Sequence, residues 1–227
     1  MKQWKIKTAR DPLYPHIIIY ESDTNHEDEY DEWYTEEELG LIWKELDFYS
    51  SREVATIEKA ENTIVAKDLK GESKSNAFRF YLWDTYTIKG RKFSHILQAL
   101  YKQQSEEFKK IVEKAMPLHH NNYINTNTDS TMVSYYDHEQ EYKSHKDSTQ
   151  FTFLVWLYKE PKKFKGGDFC LTEANKRIKC IPNRMVMFPS YLGHKVYPVR
   201  MDSDAKFGDG RYCVTHFFNW EAKNEGG

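Results

Sequence analysis

From Met132 to Tyr158 the chain reads MVSYYDHEQEYKSHKDSTQFTFLVWLY, with an apolar and aromatic run at each end and a polar middle. Both runs predict short β-strands. Similar runs follow at intervals, separated by Gly, Pro and Asn turns: 168–172, 184–188, 195–199 and 212–219. Many short strands at regular spacing are typical of an antiparallel sandwich or barrel.

The part of the chain before residue 131 has a mixed pattern. Ile17–Tyr20 predicts a strand, and Thr35-Glu36-Glu37-Glu38 resembles a capping box that opens a helix. Two further strands are predicted at 62–66 and 77–83. The segment Lys67–Asn76 between them is rich in Gly, Ser and Lys, which favours a mobile hairpin loop.

A longer helical pattern comes next. Apolar residues recur at helical spacing from Lys92 to Met116, and Pro117 is expected to end the pattern. The polar residues 119–130 predict a linker. We therefore expect a single domain over 1–227, in which 1–130 is a helical support with a substrate loop and 131–220 is a β-rich catalytic core.

The composition excludes several classes of protein. A net charge of −2 over 227 residues does not favour a nucleic-acid binder that relies on bulk charge. The three cysteines lack CxxC spacing, so neither a disulfide framework nor a zinc site is indicated. No apolar run reaches transmembrane length and Met1-Lys2-Gln3-Trp4 does not open a signal peptide, from which we expect a cytoplasmic protein with no membrane partner.

The pattern with the most chemical content is His145-Lys146-Asp147 with His194 further on. Two imidazoles and one carboxylate can hold one face of Fe(II) and leave its other positions open. If residues 145 and 147 lie on a strand, their side chains point the same way and can meet at one ion. His26-Glu27-Asp28 fits the same short motif, but its acidic surroundings favour a solvated surface segment.

From Ser134 to Trp220 the chain resembles the 2-oxoglutarate- and Fe(II)-dependent oxygenases, specifically the prolyl 4-hydroxylase-like group. The resemblance rests on an ordered series of elements: Tyr135, Tyr142–Asp147, Thr152–Tyr158, Gly166-Gly167-Asp168-Phe169, Ile181-Pro182, Met187-Phe188-Pro189, His194, Val196, Pro198-Val199, Gly210-Arg211-Tyr212 and Thr215. It implies a β-rich α+β fold, with a double-stranded β-helix (jelly roll) core and N-terminal helices outside it. It also implies His145, Asp147 and His194 as iron ligands and Arg211 as the anchor of the co-substrate.

Arg211 lies further past His194 than is usual in that family, and Arg200 is the competing residue. Six residues along one strand would carry Arg200 about 20 Å from His194, too far to reach a short diacid on the metal. If residues 202–209 form the turn of a hairpin, Arg211 returns towards the site. A guanidinium also matches a carboxylate in bidentate fashion.

Other residues are assigned by their place around these four. Thr215 should share a face with Arg211 and lie near His194, and Tyr135 resembles the family's tyrosine beside the co-substrate. Trp156 stands where relatives often place a tyrosine that contacts the distal carboxylate, so Thr152 is an alternative donor. A closing 67–76 loop would make the side chains of Arg79, Tyr81 and Trp83 candidate substrate contacts, since they alternate to one face; an ordinary hairpin with no substrate role is the competing interpretation.

The resemblance implies hydroxylation of a peptidyl residue, most often proline, with conversion of 2-oxoglutarate and O₂ to succinate and CO₂. The implied cofactors are Fe(II) and 2-oxoglutarate, with ascorbate as a further candidate. The partner is then a peptide or protein that contains proline. Two alternatives stay open: the same chemistry on another side chain, a free amino acid or a nucleobase, and a non-enzymatic cupin-like module that binds a structural metal.

Overall fold

The computed structural model of the protein describes residues 6–9, 17–20, 33–50, 58–59, 64–82, 86 and 88–222. Side chains are not described for 6–9, 17–20, 58 and 88. Within these ranges the strands, in chain order, are β1 Ile6–Ala9, β2 Ile17–Tyr20, β3 Glu58–Lys59, β4 Phe78–Tyr81, β5 Thr128–Tyr136, β6 Tyr142–His145, β7 Phe151–Leu157, β8 Phe164–Gly166, β9 Phe169–Leu171, β10 Lys176–Ile178, β11 Met185–Pro189, β12 His194–Val196, β13 Val199–Met201 and β14 Arg211–Asn219.

The strands form a jelly roll with a large and a small sheet. The large sheet has the order β1-β2-β11-β7-β14-β5-β4-β3, and the small one has the order β10-β9-β12-β6. Every pairing between these strands is antiparallel. A β-rich α+β fold with a jelly-roll core is therefore confirmed.

The large sheet is covered on both faces, which explains the unbroken apolar run of β7. Phe153, Val155 and Leu157 belong to a core cluster that also contains residues of the helices. Leu154 and Trp156 belong to a second cluster, which includes residues of the small sheet. Every residue of β7 is buried, as expected for a strand with apolar layers on both sides. The space between the two sheets is where the functional side chains meet.

The helices lie before the β-rich core. They are α1 Glu36–Ser50, a 3₁₀ helix Ile88–Phe93, α2 His95–Gln98, α3 Tyr101–Gln104, α4 Glu106–Ala115 and α5 Pro117–Ile124. The predicted capping box is confirmed, because Thr35 Oγ1 accepts the Glu38 N–H at 3.2 Å and a Glu38 carboxylate oxygen accepts the Thr35 N–H at 2.8 Å. No helix in the described ranges has the length and hydropathy needed to cross a bilayer.

The helical pattern predicted over 92–116 is present as several short helices, because Ser94 and Ser105 each cap a new helix with their side-chain oxygens. α4 ends at Ala115, just before Pro117 as predicted. Pro117 then begins a further helix, α5, as its fixed φ and missing N–H permit at a first helical position. The linker predicted at 119–130 is thus α5 and the start of β5.

In the segment 64–82 the predicted hairpin is present, but the strand predicted before it is not found in the described residues. Residues 64–66 are not in a strand, while 62–63 lie outside the described residues. Lys67 and Ser73 form a bridge, and Asp68 Oδ1 accepts the N–H groups of Lys70 and Glu72, so 67–73 is a hydrogen-bonded hairpin turn. Lys143 N donates to Lys74 O at 2.8 Å, which places this hairpin beside the strand that leads to His145.

The turn predicted at 202–209 lies between β13 and β14, but the two strands do not form the expected hairpin. β13 pairs with β8, whereas β14 pairs with β5 and β7. The chain therefore crosses from the edge of the core into the middle of the large sheet, and Arg211 enters as the first residue of a central strand.

Candidate active site

The two histidines meet because their strands are neighbours. His145 ends β6 and His194 begins β12, and the two residues stand opposite each other in the antiparallel register. The ligand atoms that His145, Asp147 and His194 offer lie within 4.8 Å of one another. The structure therefore brings together the three residues that the sequence predicted as metal ligands.

Each imidazole is oriented by a backbone carbonyl two residues earlier. His145 Nδ1 lies 2.9 Å from Lys143 O, and His194 Nδ1 lies 2.9 Å from Leu192 O. When Nδ1–H donates there, Nε2 keeps its lone pair for a metal. The Nε2 atoms lie 3.6 and 3.4 Å from the Asp147 carboxylate oxygens. Burial and the neighbouring His194 lower the pKa of His145 to about 2, so its imidazole is neutral near pH 7.

Asp147 reaches the site by a different route from the one predicted. β6 ends at His145, so the two residues do not share a strand face. Asp147 is instead held by two other segments of the same chain: its N–H donates to Ser190 O at 3.0 Å, and the Thr152 hydroxyl donates to its Oδ2 at 2.7 Å. The Ser190 hydroxyl lies 2.8 Å from that of Thr152, and Thr149 extends the chain of hydroxyls at 2.9 Å from Ser190.

A cavity of about 370 Å³ opens at the three ligands. Its floor is one face of β4, β5 and β14, on which the lining side chains stand in cross-strand rows: Tyr136 with Arg211; Arg79, Ser134 and Cys213; Tyr81, Met132 and Thr215; and Ser130 with Phe217. His145, Asp147 and His194 face this floor from the small sheet and the loop after it. The cavity therefore separates two opposed walls, with potential ligands on one and arginines on the other.

Arg211 is fully buried, and its guanidinium has no counter-ion among the residues that the structure describes. Its Nε, Nη1 and Nη2 atoms have no hydrogen-bond partner among the described residues. The guanidinium carbon lies 4.8 Å from the Tyr136 ring centre and 5.7 Å from that of Trp156. Burial alone would lower the pKa of Arg211, but the nearby Cys180, Cys213 and Tyr136 raise it on balance. A buried cation with free donors is suited to an anion from solution.

Glycine makes room for that arginine. A Cβ on Gly167 would lie 2.8 Å from Arg211 Cδ, and the residue has a φ of +71°. Arg200, the competitor for the same role, is exposed on β13, where its Nε lies 3.7 Å from Glu139. Of the two arginines, only Arg211 lines the cavity.

Two of the other assignments can be compared with these positions. Thr215 lines the cavity on the same face as Arg211, as predicted. Tyr135 does not: it pairs with Tyr212 on the opposite face, where its hydroxyl accepts the N–H groups of Gly208 and Gly210. Tyr136 occupies the place beside Arg211 instead. His216, next to Thr215, is buried with Nδ1 3.1 Å from Thr131 Oγ1.

Thr152 and Trp156 are both buried but differ in what they contact. The Thr152 hydroxyl binds the Asp147 carboxylate, so the alternative that it serves the distal carboxylate of the co-substrate is corrected. Trp156 is the aromatic neighbour of Arg211, and its Nε1 has no partner among the described residues. The indole N–H is thus a second unused donor near the guanidinium.

The proposed substrate contacts fall on the same floor. Arg79 and Tyr81 line the cavity, whereas Trp83 lies outside the described residues. Arg79 Nη1 and Tyr81 Oη donate to the carbonyl of Ile64 at 3.4 and 2.6 Å, which ties the segment before the hairpin to this floor.

Sequence reasoning missed two residues that support the ligands. Tyr142 stacks on the His145 ring, with centroids 3.4 Å apart and an angle of 17° between the planes. Ser190 holds both the Asp147 backbone and the Thr152 hydroxyl. Tyr142 is three residues from His145 and could have been suspected, while Ser190 carries no signal in the sequence.

Comparison with known proteins agrees with this geometry. Residues 131–219 match the family model of the 2OG-Fe(II) oxygenase superfamily, and all three candidate ligands and Arg211 lie within this range. The match covers 89 of the 227 residues of the chain. The proteins of that family are named for Fe(II) and 2-oxoglutarate, and in this chain the three candidate ligands and the buried Arg211 line one cavity.

The same fold occurs in a prolyl-4-hydroxylase from Pseudomonas putida, at a TM-score of 0.53 and 12% identity over 84% of this chain and 90% of that one. A 2OG-Fe(II) oxygenase-family oxidoreductase from Burkholderia pseudomallei gives 0.48 at 12% identity, covering 78% of each chain. The viral collagen prolyl hydroxylase from Paramecium bursaria Chlorella virus-1 gives 0.43 at 13%, over 64% of this chain and 80% of that one. At these identities the likeness is one of fold. No curated protein matches the chain by sequence.

Proposed function

We propose that the protein is a 2-oxoglutarate- and Fe(II)-dependent oxygenase that hydroxylates a peptidyl residue, with proline as the first choice, and couples the reaction to decarboxylation of 2-oxoglutarate to succinate and CO₂. The observation that carries the proposal is the single cavity shared by the His145–Asp147–His194 cluster and the buried, unpaired Arg211. The prolyl-4-hydroxylase of similar fold supports the choice of proline.

The donor set suits ferrous iron. Two imidazole nitrogens and one carboxylate from a small region can occupy one face of the ion, leaving positions for other ligands. Arg211 and the Trp156 indole suit the free carboxylate of a dianion such as 2-oxoglutarate, because both offer buried donors without partners. When bound, iron and 2-oxoglutarate together supply the oxidising chemistry that places one oxygen atom of O₂ on a substrate carbon.

The protein's own part is to orient and to exclude water. Thr152 and Ser190 fix the carboxylate of Asp147, and the carbonyls of Lys143 and Leu192 fix the imidazoles. Apolar side chains of Leu154, Phe169 and Val196 line the cavity around them and limit the access of solvent.

A non-enzymatic cupin-like module is the less favoured alternative. A structural metal site is coordinatively closed, whereas this cluster offers three ligands and faces an unpaired arginine. The same chemistry on another side chain, a free amino acid or a nucleobase is the nearer alternative. The cytoplasmic location, the use of ascorbate and the closing of the 67–76 hairpin over the substrate stay predictions.

The first experiment is spectroscopic. Anaerobic addition of Fe(II) and 2-oxoglutarate should give a visible charge-transfer band in the wild type and in His138→Ala, which alters an exposed histidine. The band should be absent in His145→Ala. A folded wild-type protein without the band, and without succinate formation on a library of proline-containing peptides, would contradict the proposed function. Succinate formed only with peptides that lack proline would move the proposal to another target.

A further inference from the structure

The cavity holds a second buried arginine that the metal and co-substrate do not use. Arg79, on β4, is 2% exposed, and its Nε and Nη2 atoms have no partner among the described residues. Its third nitrogen makes one long contact, 3.4 Å from Ile64 O. The guanidinium carbon lies 4.4 Å from the centre of the Tyr142 ring, and that ring stacks on His145. Arg79 therefore presents unused donors close to the ligand cluster.

The two arginines occupy different places on the floor. Arg79 shares a row with Ser134 and Cys213, while Arg211 begins the next row, two strands away. Ideal strand spacing puts their Cα atoms roughly 12 Å apart. Their guanidinium groups also pack on different aromatic rings, that of Arg79 on Tyr142 and that of Arg211 on Tyr136. One carboxylate held at Arg211 therefore leaves Arg79 unpaired.

The sum of charges in the cavity, with Fe(II) and 2-oxoglutarate bound, also leaves one arginine without a partner. Among the described residues, Asp147 is the one carboxylate that lines the cavity, and it can balance one of the two arginines. The two positive charges of a ferrous ion balance the two negative charges of 2-oxoglutarate. One positive charge then remains without a partner, which is costly because both guanidinium groups are buried.

We propose that Arg79 binds a carboxylate of the substrate, so that the residue to be hydroxylated lies close to a free carboxylate. This inference rests on the proposed function, which it narrows to substrates that carry an acid group. The carboxylate comes either from a C-terminus next to the target residue or from an acidic side chain beside it. Both present the same planar pair of oxygens, which a guanidinium binds with two parallel hydrogen bonds.

The test compares matched peptides that differ only in charge. One pair is acetyl-Ala-Pro-Ala as the free acid and as the amide; the other is acetyl-Ala-Pro-Glu amide and acetyl-Ala-Pro-Gln amide. Binding is measured by calorimetry on protein loaded with Mn(II) and the unreactive analogue N-oxalylglycine, and turnover by succinate formation with Fe(II). The first pair reports a terminal carboxylate and the second an acidic side chain.

We expect the acid member of at least one pair to bind the wild type about tenfold or more tightly than its neutral partner, which corresponds to one charge-assisted hydrogen-bonded pair. In Arg79→Gln the preference should fall to less than about twofold, and Arg79→Lys should keep part of it. Arg200→Gln is the matched control, because it removes an exposed arginine outside the cavity. The wild-type comparison needs no variant, so it stands even if Arg79→Gln does not fold.

Several results would overturn the inference. These are equal binding of the acid and neutral peptides to the wild type, a preference that survives in Arg79→Gln, or failure of every peptide to bind. A loss of N-oxalylglycine affinity in Arg79→Gln as large as that in Arg211→Gln would assign Arg79 to the co-substrate. Turnover that ignores the carboxylate would overturn this inference alone, whereas absence of 2-oxoglutarate turnover with any substrate would overturn the proposed function.

Discussion

The hydroxyl of Thr152 donates a hydrogen bond to Asp147 Oδ2 at 2.7 Å, and this contact links the centre of the large sheet to the three candidate metal ligands. Asp147 lies in a loop after β6, so no strand fixes its side chain. Its orientation depends on Thr152 and on Ser190, which accepts the Asp147 N–H and contacts the Thr152 hydroxyl. Thr152 thus acts as a positioning residue for the carboxylate.

The first prediction concerns that contact. Thr152→Val keeps the shape of the side chain but removes the hydroxyl, and it should weaken Fe(II) or Mn(II) binding about 10- to 100-fold, the usual effect of losing a partner of a metal ligand. Thr152→Ser retains the hydroxyl and should restore most of the affinity. Metal titration by calorimetry separates these outcomes. Equal affinities for the valine and serine variants would show that the hydroxyl does not position Asp147.

The second prediction concerns Arg211, the proposed anchor of the co-substrate. Arg211→Gln should raise the KM for 2-oxoglutarate about 10- to 100-fold, because hydrogen bonds to charged groups contribute about 1.5–3 kcal/mol. The affinity for the metal should change little, since Arg211 does not contact the three ligands. Arg200→Gln is the control and should behave as the wild type. An unchanged KM in Arg211→Gln would show that another group binds the co-substrate.

The residues of the site could be predicted from the sequence because their side-chain chemistry and their order along the chain are typical of such a site. His145, Asp147, His194 and Arg211 were selected from the sequence, and the structure brings all four to one cavity. The roles stay proposals, but their proximity follows from the pairing of β6 with β12 and the burial of β14. The i, i+2 argument for His145 and Asp147 reached the right pair for a wrong local reason, because β6 ends before Asp147.

The sequence could not predict which face of a fully buried strand a given side chain occupies. Tyr135 and Tyr136 are adjacent, aromatic and both buried, so hydrophobic periodicity cannot choose between them. Only the register, with Arg211 opposite Tyr136, decides which ring lines the cavity. The broken helix over 92–116 is a different case. Ser105-Glu106-Glu107 carried a capping signal that the apolar spacing concealed.

The third prediction tests whether Gly167 is needed for the placement of Arg211. In Gly167→Ala the new Cβ would meet Arg211 Cδ at 2.8 Å, on a residue whose φ of +71° already disfavours a side chain. We expect destabilisation of about 1–3 kcal/mol from strain and overpacking, together with weaker 2-oxoglutarate binding. Urea unfolding and calorimetry measure the two effects.

Gly40→Ala is the matched control for that substitution. Gly40 lies inside α1, and a Cβ there would have no heavy atom within 4 Å apart from the helix's own backbone. The Gly40→Ala protein should therefore be more stable by about 0.5–1 kcal/mol, because alanine has the higher helix propensity. Unchanged 2-oxoglutarate affinity in Gly167→Ala would show that Arg211 can move aside without loss.

The last prediction concerns the pH dependence of folding and uses His216, which lies outside the cavity. Burial lowers the pKa of His216 to about 3, and the positive charge of Arg91 adds to the effect. In the unfolded chain the pKa returns to about 6.5, so between these values only the unfolded state binds the proton. The contribution of this group to the free energy of unfolding should therefore be constant above about pH 6.5 and fall by about 1.4 kcal/mol per pH unit below it.

His216→Phe removes the titrating group. Urea titrations of the metal-free protein at pH 6 and pH 5 should show that the free energy of unfolding decreases less in this variant than in the wild type, by about that amount. Equal losses in the two proteins would mean that His216 takes up its proton in the folded state, against the low pKa that its burial produces.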